Sequence, residues 1–381
     1  MESRVVPAEG AAPPGAAAAA RGGAAELLAH AEALLAEHRY AEVVAALAGL
    51  SLPVFSVPDV ALQLLFCEGW ANLYLGRLAE AEVVLRRARE VAESPGFGDL
   101  ERCEATFRLG ACRLKRGERA NALALLTLAV DLAERTGDHA DRIRASALEW
   151  RSRCYQLQRD WEPARLDAER ALELAEVLGD GRLAAAAAMQ CSLVAERRGD
   201  ALLARYYAEQ GRVLAVEVGD RQTEARLLNN LGGLSCLLGD VPAAIRYLKD
   251  AFAVALDIGN DADAAQAVSS LAQVHLRDGQ PARAEEQARH ALSILAGRDD
   301  YLDEIGNARL VLGRALLAQR RDDEALREFR AAELTLERLG SAGHLAAAWI
   351  AQGDAFRAVG DRDSAADLYR RAAELLQDVH F

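Results

Sequence analysis

Residues 222–258 read QTEARLLNNLGGLSCLLGDVPAAIRYLKDAFAVALDI, and they hold one complete unit of a pattern that runs through the chain. Gly239-Asp240 divides the stretch. Glycine there can take the left-handed conformation that ends a helix, and the following Asp can cap the next one. Ala244 and Ala251 lie seven residues apart, two turns along one helical face, and Gly232 stands twelve residues before Ala244. Gly259-Asn260 repeats the stop-and-cap signal. The unit therefore reads helix A, tight turn, helix B, short loop.

The same phase recurs outward in both directions. Ala81, Ala122, Ala164, Ala204, Ala244, Ala284, Ala325 and Ala365 are separated by 41, 42, 40, 40, 40, 41 and 40 residues. Seven residues after each stands Ala88, Ala129, Ala171, Gly211, Ala251, Ala291, Ala332 or Ala372. Twelve before stands Gly69, Gly110, Ser152, Ser192, Gly232, Ala272, Gly313 or Gly353. The A–B turn falls five residues ahead of the phased alanine, at Gly76, Gly117, Gly199, Gly239, Gly279 and Gly360, with Arg159 and Arg320 in two units. Gly137, Gly179, Gly219, Gly259 and Gly340 close most of the B helices.

This pattern resembles the tetratricopeptide repeat (TPR), and Asn229-Asn230-Leu231-Gly232 with Gly239-Asp240 is its best-preserved copy. The resemblance covers residues 23–378. It implies an all-α fold, an α-solenoid of about nine helical hairpins wound as a right-handed superhelix whose A helices line the concave side. One departure is the period of 40 to 42 residues, against about 34 in the standard repeat. The longer unit is similar to the LGN-type and MalT-type arrays of signalling proteins and bacterial regulators. Around the eight repeats of residues 60–378, residues 23–50 are expected to form a degenerate N-terminal cap with helices at 24–37 and 40–50 and Val43 at the phased position. Residues 51–59, with Pro53 and Pro58, are expected to be a linker, and the Ala/Gly/Pro tract of residues 1–22 to be disordered. Only Asp378 to Phe381 follow the last B helix, so no separate solvating helix is expected and that end is a second candidate docking surface.

Composition agrees with closely packed helices. Apolar residues make up 51% of the 381 but aromatics only 5%, so the apolar mass is Ala and Leu, the best helix formers. Prolines such as Pro163, Pro242 and Pro281 fall at expected helix starts. The formal charge of −13 repels phosphate backbones and argues against direct nucleic-acid binding. No apolar run is long enough to span a bilayer, and Glu2 and Glu9 interrupt any signal-peptide pattern, so a cytoplasmic protein without membrane contact is expected. Cys67, Cys103, Cys112, Cys154, Cys191 and Cys236 lack CxxC spacing and read as buried reduced thiols inside helices.

The TPR phase places the concave-facing residues 11, 14, 15 and 18 positions before each phased alanine. Those residues include Gln63, Phe66, Trp70, Arg108, Glu149, Arg153, Met189 and Gln190 in the first half of the chain. In the second half they are Arg226, Asn229, Asn230, Gln266, Ser269, Ser270, Gln273, Asn307, Arg314 and Asp354. Amides both donate to and accept from a peptide backbone, and Arg forks onto carboxylates, so the set suits a peptide or protein partner carrying acidic residues. Asn at the Asn230 position is implied by the resemblance to hold a peptide backbone. Trp70, Phe66 and Tyr74 are expected to pack against the first hairpin, Trp150 and Trp161 beside the turn of their own repeat, and Tyr206-Tyr207 within a B helix.

Catalytic patterns do not emerge. The chain carries no GxxxxGK[ST] loop and no HExxH, and its seven histidines are scattered over different repeats, so neither a metal nor a cofactor is implied. The leading expectation is a non-enzymatic adaptor that binds a peptide or protein in the A-helix groove. Its alternative is a MalT-like regulatory array that binds a small effector or signalling peptide and acts through a separate output partner.

Overall fold

Glycine turns and acidic caps cut the chain into helices, most of them seventeen residues long. The computed structural model describes residues 14–48, 57–298, 301–339 and 342–377. Among these lie eighteen α-helices in nine sequential hairpins: α1 (Pro14–Ala36) with α2 (Tyr40–Leu47), α3 (Pro58–Tyr74) with α4 (Leu78–Ala92), and α5 (Asp99–Lys115) with α6 (Arg119–Thr136). Then come α7 (Asp141–Leu157) with α8 (Trp161–Leu178), α9 (Gly181–Arg197) with α10 (Ala201–Glu217), and α11 (Arg221–Leu237) with α12 (Val241–Asp257). The last three pairs are α13 (Asp261–Arg277) with α14 (Pro281–Ile294), α15 (Leu302–Ala318) with α16 (Asp322–Leu339), and α17 (Ala342–Ala358) with α18 (Arg362–Gln377). This is the all-α, solenoid class of fold implied by the repeat. No described helix is long and apolar enough to cross a membrane.

Two compact units divide the chain, Met1–Arg151 and Ser152–Phe381. In the first, Leu62, Leu65 and Phe66 of α3 pack on Ala88 and Ala92 of α4 and Ala105 of α5. In the second, Leu227, Leu231 and Leu234 of α11 pack on Ala204, Ala208 and Ala215 of α10. Within each unit, leucines thus pack on the alanines of an adjoining helix or hairpin, and the core is built hairpin on hairpin.

The A–B contact inside a hairpin obeys a size rule. The small residue twelve before the phased alanine faces the residue four after it. An added Cβ at Gly232 would lie 2.5 Å from Leu248 Cγ, and at Gly110 2.9 Å from Leu126 Cγ; Gly69 meets Leu85, Gly313 meets Phe329 and Gly353 meets Tyr369 in the same way. Where the first position is Ser152, Ser192 or Ala272, the second is Ala168, Ala208 or Ala288. Large side chains therefore stand only opposite glycine, because helix interiors leave no room for both. At the Ser152 position the hydroxyl adds a hydrogen bond, donated to Ala164 O at 2.7 Å.

The turn between the two helices demands a positive φ in every hairpin. Glycine supplies it at Gly76, Gly117, Gly199, Gly239, Gly279 and Gly360, while His38, Arg159 and Arg320 are forced to φ values of 59°, 58° and 61°. Those three are the only non-glycine residues with positive φ among the described residues. Acceptors then cap the following helices, Asp180, Asp220 and Asn260 between hairpins and Asp200 and Asp240 at the turns within them, each taking a hydrogen bond from the third backbone N–H of the next helix at 3.0–3.1 Å. Neighbouring hairpins are also tied by ion pairs. Glu82, 2% exposed, is held by Arg113 and Arg116, and Glu285 by Arg321 at 2.7 Å. Burial pushes the Cys67 and Cys112 thiols up to about 11 and Cys103 and Cys191 up to about 12, so all four stay protonated as packing groups.

The structure differs from the sequence expectation near the N-terminus. Helix α1 begins at Pro14, well inside the tract expected to be disordered, because Ala16–Ala20 extends a helix at almost no side-chain entropy cost. Pro58, assigned above to a linker, starts α3, where its missing N–H leaves no bond unmade. Residues 51–56 of that linker, Gly340 and Asp378–Phe381 lie outside the described residues. Val43 is fully buried, as a surrogate for the phased alanine should be.

Two stability predictions follow from the size rule and the strained turns. Gly232→Ala should lower stability by about 1–2 kcal/mol despite the better helix propensity of alanine. Combined with Leu248→Ala it should cost at least about 1 kcal/mol less than the sum of the two single changes, measured by urea titration; strict additivity would show that the two residues do not constrain each other. Arg320→Gly should raise stability by about 0.5–1 kcal/mol in the same assay, since relief of the left-handed strain outweighs the added freedom of the unfolded chain.

Candidate functional site

Caps at Asp220 and Asn260 start α11 and α13 at equivalent places, and the A helices of the second unit touch in series, α11 on α13, α13 on α15 and α15 on α17. Residues at one phase of the repeat therefore stand side by side. The four phases expected to face outward separate into two kinds. Positions 18 and 11 before the phased alanine, two turns apart, are accessible: Arg226 and Gly233, Gln266 and Gln273, Asn307 and Arg314, Ala347 and Asp354 are all half-buried or exposed. Position 15 is mostly the seam between neighbouring A helices, holding Phe66, Phe107, Glu149, Met189, Ser269 and Leu310 in buried surroundings.

This corrects two expected site residues. Ser269 is 1% exposed at the seam, and Gln190 is 2% exposed with its Oε1 accepting from Gln156 Nε2 at 3.1 Å. Both serve packing between hairpins. Arg226 is also committed, with its Nε donating to both carboxylate oxygens of Asp263 at 3.1 and 3.2 Å. Arg153 is half-buried and already engaged by other groups.

A different subset remains uncommitted. Asn230, Gln266, Ser270, Gln273 and Asn307 are half-buried, and their side chains make no hydrogen bond among the described residues. Asn229 stands at the seam phase with a buried Oδ1 that has no hydrogen-bond partner among the described residues. Arg314 is exposed in area yet hemmed in by neighbouring side chains, and this desolvation pulls its guanidinium below the usual arginine value, offset in part by Asp354. It forms no ion pair among the described residues. A row of idle amides with a partly desolvated cation at one end can bind a peptide backbone and a carboxylate together.

The expected residues of the first unit behave otherwise. Arg108 bonds Glu104 at 2.6 Å and lies over the rings of Phe66 and Trp70 at 5.1 and 4.9 Å. Trp70 also meets Tyr74 and Phe107 at 5.6 Å, and Tyr74 stacks on Tyr40 of the first hairpin at 4.9 Å, the expected packing. Trp150 packs edge-on against Trp70 at 5.8 Å rather than only beside its own turn. Gln63 is half-buried on α3. Sequence reasoning missed Asp263 and its like, although a signal existed: opposite charges 34 to 37 residues apart recur as Glu82–Arg116, Glu162–Arg198, Arg221–Asp257, Arg226–Asp263 and Asp261–Arg298.

Residues 223–296 match the family model described as tetratricopeptide repeat. No curated protein matches the sequence significantly. Among solved structures, the apo form of the quorum sensor NprR from B. thuringiensis is similar at 13% identity and TM-score 0.62, covering 93% of this chain and 98% of its own. A Rap protein complexed with Competence and Sporulation Factor is similar at 17% identity and TM-score 0.60, covering 96% and 99%. A signal-transduction ATPase of the STAND class from Pyrococcus horikoshii, with a tetratricopeptide repeat sensor, gives 13% identity and TM-score 0.59 over 84% of this chain and 51% of its own. At these identities the likeness establishes the fold. Residues 223–296 thus carry a tetratricopeptide-repeat match, and the chain as a whole is similar in fold to these proteins.

An idle buried amide should weaken the fold. Asn229→Leu is expected to stabilise the free protein by about 1 kcal/mol, because the unmet Oδ1 is removed and an apolar group of similar size takes its place. Chemical denaturation of both proteins measures it; a loss of stability would mean that Asn229 has a structural role.

Proposed function

We propose that this protein is a non-enzymatic binding module that holds a peptide or protein segment along the A-helix face of α11, α13 and α15. The observation that carries the reading is the row of unbonded polar groups from Asn229 and Asn230 through Gln266, Ser270 and Gln273 to Asn307 and Arg314. Polar groups held half-buried without partners lower stability, and a ligand that bonds them recovers the loss. An extended segment offers alternating N–H and C=O groups to the amides, and an acidic side chain or terminal carboxylate suits Arg314.

A regulatory role is the second reading, and the structural likeness to a quorum sensor and to a Rap protein bound to a signalling factor favours it. In that form the occupant is a signalling peptide, and a separate output partner reads the occupied array. Differential affinity of the occupant for two arrangements of the hairpins would drive the response. The MalT-like variant, with a small effector in place of the peptide, follows the same logic.

Capture on the immobilised protein from a lysate of the source cells, followed by mass spectrometry, identifies the partner, and fluorescence anisotropy with its bound segment measures affinity. Asn230→Ala combined with Arg314→Ala should weaken that segment at least about tenfold, equivalent to about 1.4 kcal/mol. Arg330→Ala on the B helix α16 should leave it unchanged. Affinity that survives the double change on the A-helix face would exclude this surface.

A further inference from the structure

On the other side of the same hairpins, a hollow of about 480 Å³ lies between the B helices α12 and α14 and is floored by α13. Its size is that of a small-molecule pocket. Ile245 and Phe252 of α12 and Leu271 of α13 give it an apolar wall. Lys249 and Arg283 stand at its rim from opposite helices, with His290, whose ring packs on Phe252 at 5.6 Å. From the floor rises His275, 7% exposed, with a buried Nδ1 that has no hydrogen-bond partner among the described residues.

The charges of this hollow are not balanced from within. Lys249 makes no ion pair among the described residues, and Arg283 donates only to the neutral Gln280, at 2.7 Å. Against them stands Glu286, which makes no ion pair among the described residues. Lys249 and Arg283 against Glu286 give a formal excess of one positive charge at the rim. Burial, then Arg283 and Lys249, hold the His275 imidazole below the usual histidine value, opposed by Asp278 and Glu286. The equivalent hollow between α8 and α10, about 510 Å³, differs in this respect: Arg165 is paired with Glu162 and Glu169, and Arg198 with Glu162.

We propose that the hollow between α12 and α14 binds a small organic monoanion, a carboxylate with an aromatic or branched apolar body. The carboxylate bridges Lys249 and Arg283, the body lies against Ile245, Phe252 and Leu271, and a polar atom of the ligand meets His275 Nδ1. A single negative charge neutralises the excess at the rim, whereas a dianion would meet Glu286 without enough cations to compensate. The inference stands apart from the A-helix surface, since none of its residues belongs to that row.

The full-length protein and 4-phenylbutyrate as probe test it, by saturation-transfer NMR and isothermal titration. Saturable one-to-one binding is expected, at least tenfold weaker for the neutral 4-phenylbutyramide. Lys249→Met with Arg283→Met, both at exposed positions where folding is preserved, should weaken the acid tenfold or more. Arg165→Met and the Asn230→Ala, Arg314→Ala pair should not change it. Absence of saturable binding, equal binding of acid and amide, or affinity indifferent to the Lys249 and Arg283 changes would each overturn the proposal. A loss caused instead by Arg165→Met or by the Asn230, Arg314 pair would place the probe elsewhere and overturn it too.

Discussion

Everything in this array hangs on the closest approach of the two helices in a hairpin, where a small residue of helix A faces the side chain four beyond the phased alanine of helix B. Gly232 under Leu248 and Gly313 under Phe329 let a large group fill the gap, and Ala272 opposite Ala288 closes it with two small ones. Either solution keeps the interior at crystal-like density, and a mixture of the two does not. Because the contact fixes the A–B separation, it also fixes how leucines such as Leu227 and Leu231 reach the alanines of the preceding hairpin. The turn and cap residues then have only to set where each helix begins.

Those local devices explain why so much of the fold could be read directly. A glycine at positive φ and an Asp acceptor are each tied to one backbone geometry, and their spacing marks the turns at Gly76, Gly117, Gly199, Gly239, Gly279 and Gly360 and sets the phase at which Arg159 and Arg320 take the same place. The size rule is equally present in the sequence, as pairs sixteen residues apart, but it shows only when the two members are read together, since a glycine or a leucine alone at its position carries no sign of the other. Near the N-terminus composition misled in the opposite direction. An alanine run lacks the large groups that make a core yet forms helix readily, so α1 extends back to Pro14.

The binding surface was less legible, for a physical reason. Helical phase gives the direction of a side chain to within a fraction of a turn, but whether a position is seam or surface depends on how closely the next A helix approaches. One phase holds both Asn229 and Ser269, and another both Gln190 and Ser270. Nor does phase reveal commitment. Arg226 and Arg314 both fall at expected concave positions, yet Arg226 is occupied by Asp263, whereas Arg314 forms no ion pair among the described residues and is partly desolvated.

Two orphaned atoms, Asn229 Oδ1 and His275 Nδ1, lie on neighbouring hairpins but serve opposite sides of them. Each leaves a buried polar atom unmet, at a cost of about 1–3 kcal/mol, in a region whose turns, caps and size pairs otherwise agree with the fold. Local violations of an otherwise consistent design are where function is expected to sit, since a protein retains them only if something else satisfies them. Hairpins α11/α12 and α13/α14 combine the best-preserved repeat signature with both violations. Their regularity supplies the rigid frame that holds unsatisfied groups in place, and any ligand that meets those groups also stabilises the frame, by an amount that grows with its concentration over its dissociation constant.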